Sequence, residues 1–372
     1  MTDPKIKERL SRAADPITVD VEERLTLLHG SSTRRRHLAR AGTMVVAAAI
    51  AVAALVLLLQ LLPTHRTGAA DGGGLSGSIA YTAVEVNSGP YFVMIVPAAG
   101  GSPTKLAEGG VESQPVYSPD GSKIAFMSRP DGAGSSGSLE VMNADGSGRH
   151  VVLTVEGDSP SWSPDGSQIA FVAYSGTSGT TVHVVNADGT GDHVIVQGNW
   201  YSVSWSPDGS TLAISGTTKD VSGTNPVGQF DIYTVGVDGS GLTKLTDTRT
   251  DEQTPTWSPN GSHIAYGLTD GTLSNYHAIS IWVMNADGSN PVQLTDRKGL
   301  DQYPVWSPDG SMLAFSSDRG ATPDQQAANA NHYAFAGVGI YAMNADGSNV
   351  QLVQPDGSGG LLPSSWTAQP AG

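Results

Sequence analysis

The chain has 372 residues, a net charge of −15, 46 glycines and no cysteine. Charged residues make up 15%, against roughly 25% in an average soluble protein, which argues against helical bundles and coiled coils. The missing cysteine excludes disulfide scaffolds, Cys-ligated zinc and cysteine nucleophiles, and the negative charge argues against nonspecific nucleic-acid binding.

The charge is divided unevenly. Residues 1–66 carry ten Lys/Arg and six Asp/Glu, and residues 67–372 ten and twenty-nine, which splits the total into +4 and −19. Residues 4–13 and 19–28 each have the pattern of a short amphipathic helix, joined through Asp15-Pro16. Alone, such helices are too short to be stable in water. The tail 1–41 reads either as an unstructured flank or as a docking segment for a cytoplasmic partner.

Residues 42–62, GTMVVAAAIAVAALVLLLQLL, contain no charge. As a helix they span about 30 Å, the thickness of the hydrocarbon core, so one transmembrane helix is expected there. Arg34, Arg35, Arg36 and Arg40 precede the segment and only Arg66 follows it closely. The positive-inside rule then places residues 1–41 in the cytoplasm and everything after residue 62 outside the cell membrane. The apolar run is too long and starts too late for a cleaved signal peptide, so an uncleaved signal anchor is expected. Residues 63–76 are glycine-rich and read as a flexible tether.

The remaining chain repeats itself. PVYSPDGSKIAF (115–126), PSWSPDGSQIAF (160–171), VSWSPDGSTLAI (203–214), PTWSPNGSHIAY (255–266) and PVWSPDGSMLAF (304–315) are copies of one motif, with anchor aromatics spaced 45, 43, 52 and 49 residues apart. Periods of about 40–50 residues with strand patterns indicate propeller blades. In each copy a short strand ends at the aromatic, Ser-Pro-Asp-Gly makes a turn, and an apolar strand follows. That second strand always holds an alanine (Ala125, Ala170, Ala213, Ala265, Ala314), small enough to let neighbouring sheets approach. A downstream motif such as VMNADGSG (141–148) adds strand, Asp-Gly turn, strand, giving four strands A to D per unit.

The two ends are complementary. GSIAY (77–81) matches strand B and 91–106 match C, turn and D, with no strand A before them. PSSWTAQP (363–370) supplies a strand around Trp366 with no B after it. The expected fold is all-β: a six-bladed β-propeller over 77–370, closed by its C-terminal strand pairing into the first blade.

These repeats resemble the TolB family of propellers, whose blades carry a W-S-P-D-G turn, a strand and then an N-x-D-G turn. In that family the propeller follows an α/β domain; here an apolar segment and a short tail stand in its place. The resemblance implies the fold and leaves function open, because propellers host binding proteins and enzymes alike.

Strand order puts the A–B and C–D turns on one face and the B–C and D–A loops on the other. The second face carries the variation, including B–C loops at 127–138, 215–229, 267–279 and 316–337, and long loops on a rigid scaffold are the usual place for binding. The D–A loops lead into the innermost strands and ring the channel mouth. They hold Glu112, Asp158, Asp251, Glu252 and Asp301; of these, Glu112, Glu252 and Asp301 stand five residues before the anchor aromatic. Converging there, they would hold a cation, a basic peptide or an amino sugar; loop charge in water is the alternative. Trp200, Tyr201 and Tyr303 lie in the same loops and either stack on a ligand or pack. The Asp-Gly turns lack the full calcium-loop pattern, no G-x-S-x-G elbow occurs, and no metal, cofactor or catalytic residue is expected.

The leading expectation is a membrane-anchored, noncatalytic platform that recognises an envelope protein, peptide or glycan. One alternative is a transmembrane sensor that couples outside binding to a cytoplasmic, anti-sigma-like partner. Another is a hydrolase or lyase at the channel mouth.

Overall fold

A computed structural model describes residues 75–368 apart from 86–90, 108–109, 131–135, 176–178, 219–229, 270–278, 297–298, 333–336 and 356–358. The chain divides at Gly72/Gly73 into two units. The expected tail, the membrane helix at 42–62 and the tether through residue 74 lie outside the described residues, as do parts of the B–C loops. Among the described residues no helix is long and apolar enough to cross a membrane.

The described chain is almost entirely antiparallel β-structure. β1 (Ser78–Glu85), β2 (Tyr91–Pro97) and β3 (Thr104–Ala107) come first. β4 (Gly110–Tyr117), β5 (Lys123–Pro130), β6 (Ser138–Asn143) and β7 (His150–Thr154) form a four-stranded unit. β8 (Gly157–Trp162), β9 (Gln168–Tyr174), β10 (Thr180–Asn186) and the first half of β11 (His193–Trp205) form another. The second half of β11 pairs with β12 (Thr211–Thr217), followed by β13 (Asp231–Gly236) and β14 (Thr243–Lys244). One strand thus serves as D of one unit and A of the next. β15 (Glu252–Trp257), β16 (His263–Thr269), β17 (Ile279–Asn285) and β18 (Val292–Gln293) make a separate sheet, as do β19 (Asp301–Trp306), β20 (Met312–Ser317), β21 (Gly339–Asn344) and β22 (Gln351–Gln354). The last strand, β23 (Gly359–Thr367), pairs antiparallel with β1, with Ile79 opposite Trp366. The C-terminus therefore supplies the strand A that the N-terminal unit lacks.

The turns form for reasons visible in their residues. In Ser118-Pro119-Asp120-Gly121, Gly121 takes φ 70° and donates its N–H to the Ser118 carbonyl at 2.8 Å. The Asp120 carboxylate accepts from the Ser118 hydroxyl at 2.6 Å and the Ser122 N–H at 3.0 Å. Asp165, Asp208 and Asp309 repeat this arrangement, and Asn260 does so without the charge.

The units are held side by side by apolar clusters that each span a seam. Ala125 packs with Trp162, Ile169 and Phe171 of the following unit, and Ala170 with Trp205, Leu212 and Ile214 of the one after. Ala213 packs with Ile264 and Tyr266, Ala265 with Trp306 and Phe315, and Ala314 with Ile79, Tyr81 and Trp366. Ala80 packs with Ile124 and Phe126, which closes the circuit. All six alanines are fully buried. A larger side chain would force the sheets apart, which is why the repeat keeps a methyl group here. The innermost strands meet in the same order: β23 against β4, then β8, β11, β15, β19 and β23 again.

The loop expected at 316–337 contains a helix, α1 (Pro323–His332). The Gln325 N–H donates to the Thr322 hydroxyl at 3.3 Å, and the Thr322 N–H to the Gln325 side-chain oxygen at 2.9 Å. Thr-Pro-Asp-Gln is a capping box with proline at the first helical position and an acid in the first turn. The signal was present in the sequence but overshadowed by the glycine- and asparagine-rich surroundings.

Candidate functional site

Two cavities lie along the inner strands. The larger, about 490 Å³, is lined by residues of β4, β8, β11, β15, β19 and β23 and by Pro119, Asp120, Pro259 and Pro308 of the A–B turns, so it lies on the turn face. The smaller, about 340 Å³, is lined by Arg129, Gly137, Glu156 and Asp158 and belongs to the loop face. Gln114, Tyr201, Tyr303 and Ser364 line both and form the waist between them.

The waist is built from irregular backbone. Gln114, Ser159, Thr254 and Tyr303, each three residues before an anchor aromatic, have φ of 53°, 57°, 49° and 55°. Each precedes a proline, and each coincides with a break in register between its strand and the next. The extra residue is a β-bulge, and proline, which has no N–H, fits where the ladder is interrupted. Left-handed non-glycine residues cost about 1–3 kcal/mol each and persist where surrounding structure holds them. Here the holding bonds run from strand to strand: Val203 N–H donates to the Ser159 hydroxyl at 3.1 Å, Trp205 N–H to Ser161 at 3.0 Å and Tyr117 N–H to Ser365 at 3.0 Å.

The bulge decides which side chains face the channel. One residue before the aromatic, Val116, Ser161, Ser204, Thr256, Val305 and Ser365 all line the turn-face cavity. Simple alternation would put residues five before the aromatic on that same face. The extra residue reverses the parity, so those positions turn into the blade-like units instead. Glu112, Glu252 and Asp301 are fully or almost fully buried and line neither cavity. The expected convergence of these three carboxylates at the channel mouth is therefore corrected.

Glu112 and Asp301 are accommodated within their own units, and Glu252 by the loop that leads into its strand. Glu112 pairs with Arg149 at 2.8 Å; the same guanidinium bonds Glu140 at 2.6 Å and the Ser128 hydroxyl at 3.1 Å. Asp301 receives Arg319 at 2.9 and 3.0 Å and the Ser317 hydroxyl at 2.6 Å. Among the described residues no arginine bonds Glu252. It accepts from the hydroxyls of Thr246, at 3.2 Å, and Thr248. Burial, reinforced by the charges of Asp231 and Asp251, pushes its carboxyl up to about 7. Asp251 is also buried, and its Oδ1 accepts the Phe230 N–H at 2.9 Å. Trp200 stands five residues before Trp205, is 2% exposed and packs edge-on against Tyr233 at 5.4 Å. It presents no face to a ligand, and packing is the outcome there.

Asp158, Tyr201 and Tyr303 are brought together at the channel. Asp158 stands four residues before its aromatic, one step from the buried position, and so faces the loop-side cavity. It accepts from the Tyr174 hydroxyl at 2.8 Å; burial raises its carboxyl above the usual range, against that bond and the Arg129 charge. Arg129 is held by Glu156 at 2.9 Å. The Tyr201 and Tyr303 hydroxyls share a hydrogen bond across the waist. The neighbouring Tyr201, and then burial, hold the Tyr303 phenol well above its ordinary range, so it stays protonated. Tyr201 is 40% exposed and stacks on Phe230 at 5.9 Å.

Sequence reasoning overlooked the turn-face cavity and Gln114. Six equivalent strand ends converge there by rotation of the repeat, and no residue in a single copy signals this. Among the described residues no group of three or more His, Asp or Glu is arranged to hold a metal.

Residues 133–272 match the TolB beta propeller domain family. No curated protein is similar to this chain at a significant level. Among solved structures, TolB from Acinetobacter baumannii is similar at 20% identity and a TM-score of 0.62, over 79% of this chain and 67% of that one. A putative TolB from Agrobacterium tumefaciens is similar at 20% identity and 0.57, over 80% and 94%. Hydrazine synthase of Kuenenia stuttgartiensis is similar at 14% identity and 0.62, over 80% and 47%. At these identities the likeness is one of fold, and together with the repeat and the strand order it establishes that the chain carries a TolB-like β-propeller.

Proposed function

We propose that this chain is a noncatalytic binding platform: a six-bladed propeller closed by β23, carried outside the cell membrane by the apolar segment 42–62, with residues 1–41 in the cytoplasm. The partner is an envelope protein or peptide that inserts a segment into the loop-side cavity. The observation that carries this reading is the composition of that cavity. Tyr91, Tyr174, Tyr201 and Tyr303 give it aromatic walls, and Arg129, Glu156 and Asp158 give it charged hydrogen-bonding groups at one side. Pockets with apolar walls and a few convergent polar groups are the usual form of a recognition site. The other acidic residues of the D–A loops are buried and engaged by neighbouring protein groups, which leaves recognition to these side chains. The uncharged run 42–62 and the arginines before it support the membrane placement.

The test is in-cell photo-cross-linking from an unnatural amino acid at Val155, which lines the cavity, and at Leu242, which is exposed away from it. An adduct with an envelope protein from Val155 alone, weakened by Asp158→Asn, is the expected result. Equal adducts from both positions, or none from Val155, would remove the platform reading. Protease added outside spheroplasts should digest the propeller; protection would reverse the topology.

A further inference from the structure

The turn-face cavity has a chemistry of its own. Its walls carry prolines and aromatic rings, and among the described residues Asp120 is the one charged side chain lining it. That carboxylate already accepts from Ser118 and Ser122. Apart from the Gln114 amide at the waist, the remaining polar side chains of the wall are mostly hydroxyls, and three of them are bonded on one side only. Ser159, Ser161 and Ser204 accept the N–H of Val203, Trp205 and Trp257, the last at 3.4 Å. A hydroxyl that accepts still has a proton to donate, and no protein group among the described residues takes it. The cavity is therefore walled by rings and hydroxyls in about equal measure, uncharged in its depth, and supplied with hydroxyl protons that no described protein group accepts.

Its surroundings are acidic. Four A–B turns and five C–D turns place Asp120, Asp165, Asp208, Asp309, Asp145, Asp188, Asp238, Asp287 and Asp346 on this face. Serine or threonine bonds hold every one of these carboxyls below the usual range. An anionic ligand is repelled and a cationic flank is attracted.

One kind of segment fits both features. A prolyl residue offers a carbonyl acceptor and no N–H, and presents an apolar ring. Runs of it form a preorganised extended helix that docks against aromatic walls at low entropic cost. We propose that the turn-face cavity is a second binding site, distinct from the loop-side one, and that it takes a proline-rich segment with basic flanks, whose carbonyls accept from Ser159, Ser161 and Ser204. This goes beyond the platform reading and does not depend on it.

The test uses the full chain in detergent micelles and a labelled lysine-flanked oligoproline peptide, followed by fluorescence anisotropy. Controls are a peptide with the same lysines around a Gly-Ser core and an uncharged maltooligosaccharide. The oligoproline peptide is expected to bind at least roughly tenfold tighter than the Gly-Ser peptide, a difference worth about 1.4 kcal/mol. Ser161→Ala should weaken it several-fold. Because that change also leaves the Trp205 N–H without its acceptor, Pro308→Trp at the exposed rim serves as a second variant that narrows the mouth and leaves the interior intact. It should abolish binding, while Glu156→Gln in the loop-side cavity should leave it unchanged. Equal binding of the two peptides would mean charge alone, and would overturn the proposal. So would tighter binding of the oligosaccharide, loss of peptide binding in Glu156→Gln, or undiminished binding in Pro308→Trp. None of these outcomes bears on the cross-linking from Val155.

Discussion

Arg149 and Arg319 occupy different places in the repeat yet answer the same problem. Arg149 follows a C–D turn and Arg319 follows a B strand. Each guanidinium bonds a buried carboxylate five residues before an anchor aromatic and lies over the equivalent B-strand phenylalanine, Phe126 at 5.1 Å and Phe315 at 5.0 Å. Planar guanidinium suits both tasks, donating in a fork and stacking on a ring.

Removing one partner of such a pair leaves an uncompensated buried charge. Arg149→Met is expected to cost about 3–5 kcal/mol, measured as a drop in the urea midpoint. Adding Glu112→Gln should recover a large part of that loss. A double variant no better than the single one would mean that Arg149 acts through Glu140 instead.

Glu252 stands at the equivalent place with no arginine bond among the described residues, and this sets a pH dependence. Its folded value of about 7 lies above the ordinary 4.5, so the folded state holds the proton more tightly than the unfolded chain does. The stabilisation is present in full below pH about 4.5 and is lost as pH rises toward 7, by about 3 kcal/mol in total. Glu252→Gln should flatten that part of the stability curve, as followed by chemical denaturation across the window. A slope unchanged by the substitution would place its origin elsewhere.

The left-handed residues at the waist predict an unusual glycine effect. A β-branched side chain at φ 49° is strained, so Thr254→Gly should raise the melting temperature, by an amount corresponding to about 1 kcal/mol. Ser113→Gly, in regular strand next to the bulge of β4, should lower it. The same sign at both positions would show that the strain at Thr254 is compensated locally.

Closure through β23 carries a further expectation. Ending the chain at residue 358 removes the strand that pairs with β1 and packs Trp366 on Ile79 and Tyr81. The truncated chain is expected to lose cooperative unfolding and to aggregate through the exposed β1 edge. A single sharp thermal transition would show instead that the remaining strands close by themselves.

The channel face was only half legible. Tyr201 and Tyr303 were recognisable as aromatics in loops that approach the channel, and Asp158 as a carboxylate beside them. Glu112, Glu252 and Asp301 looked equivalent, and in register they are. Their direction depended on an inserted residue three places from the aromatic, and the Ser-Gln-Pro, Asp-Ser-Pro, Gln-Thr-Pro and Gln-Tyr-Pro strings that hold it share little but proline. Trp200 was misleading for the same reason, since it occupies the same inward position.

What the sequence determined by itself was everything local and periodic. The Ser-Pro-Asp-Gly turns, the alternation of the B strands, the buried alanines and the complementary half-units at the two ends are written within stretches of a few residues. Short-range sterics and hydrogen bonds suffice to form them. Only the tertiary structure decided which side of each inner strand meets the channel, which arginine reaches which carboxylate, and that the turn face encloses a cavity. Those outcomes depend on bulge parity and on contacts between units more than forty residues apart, and neither is a property of any one repeat.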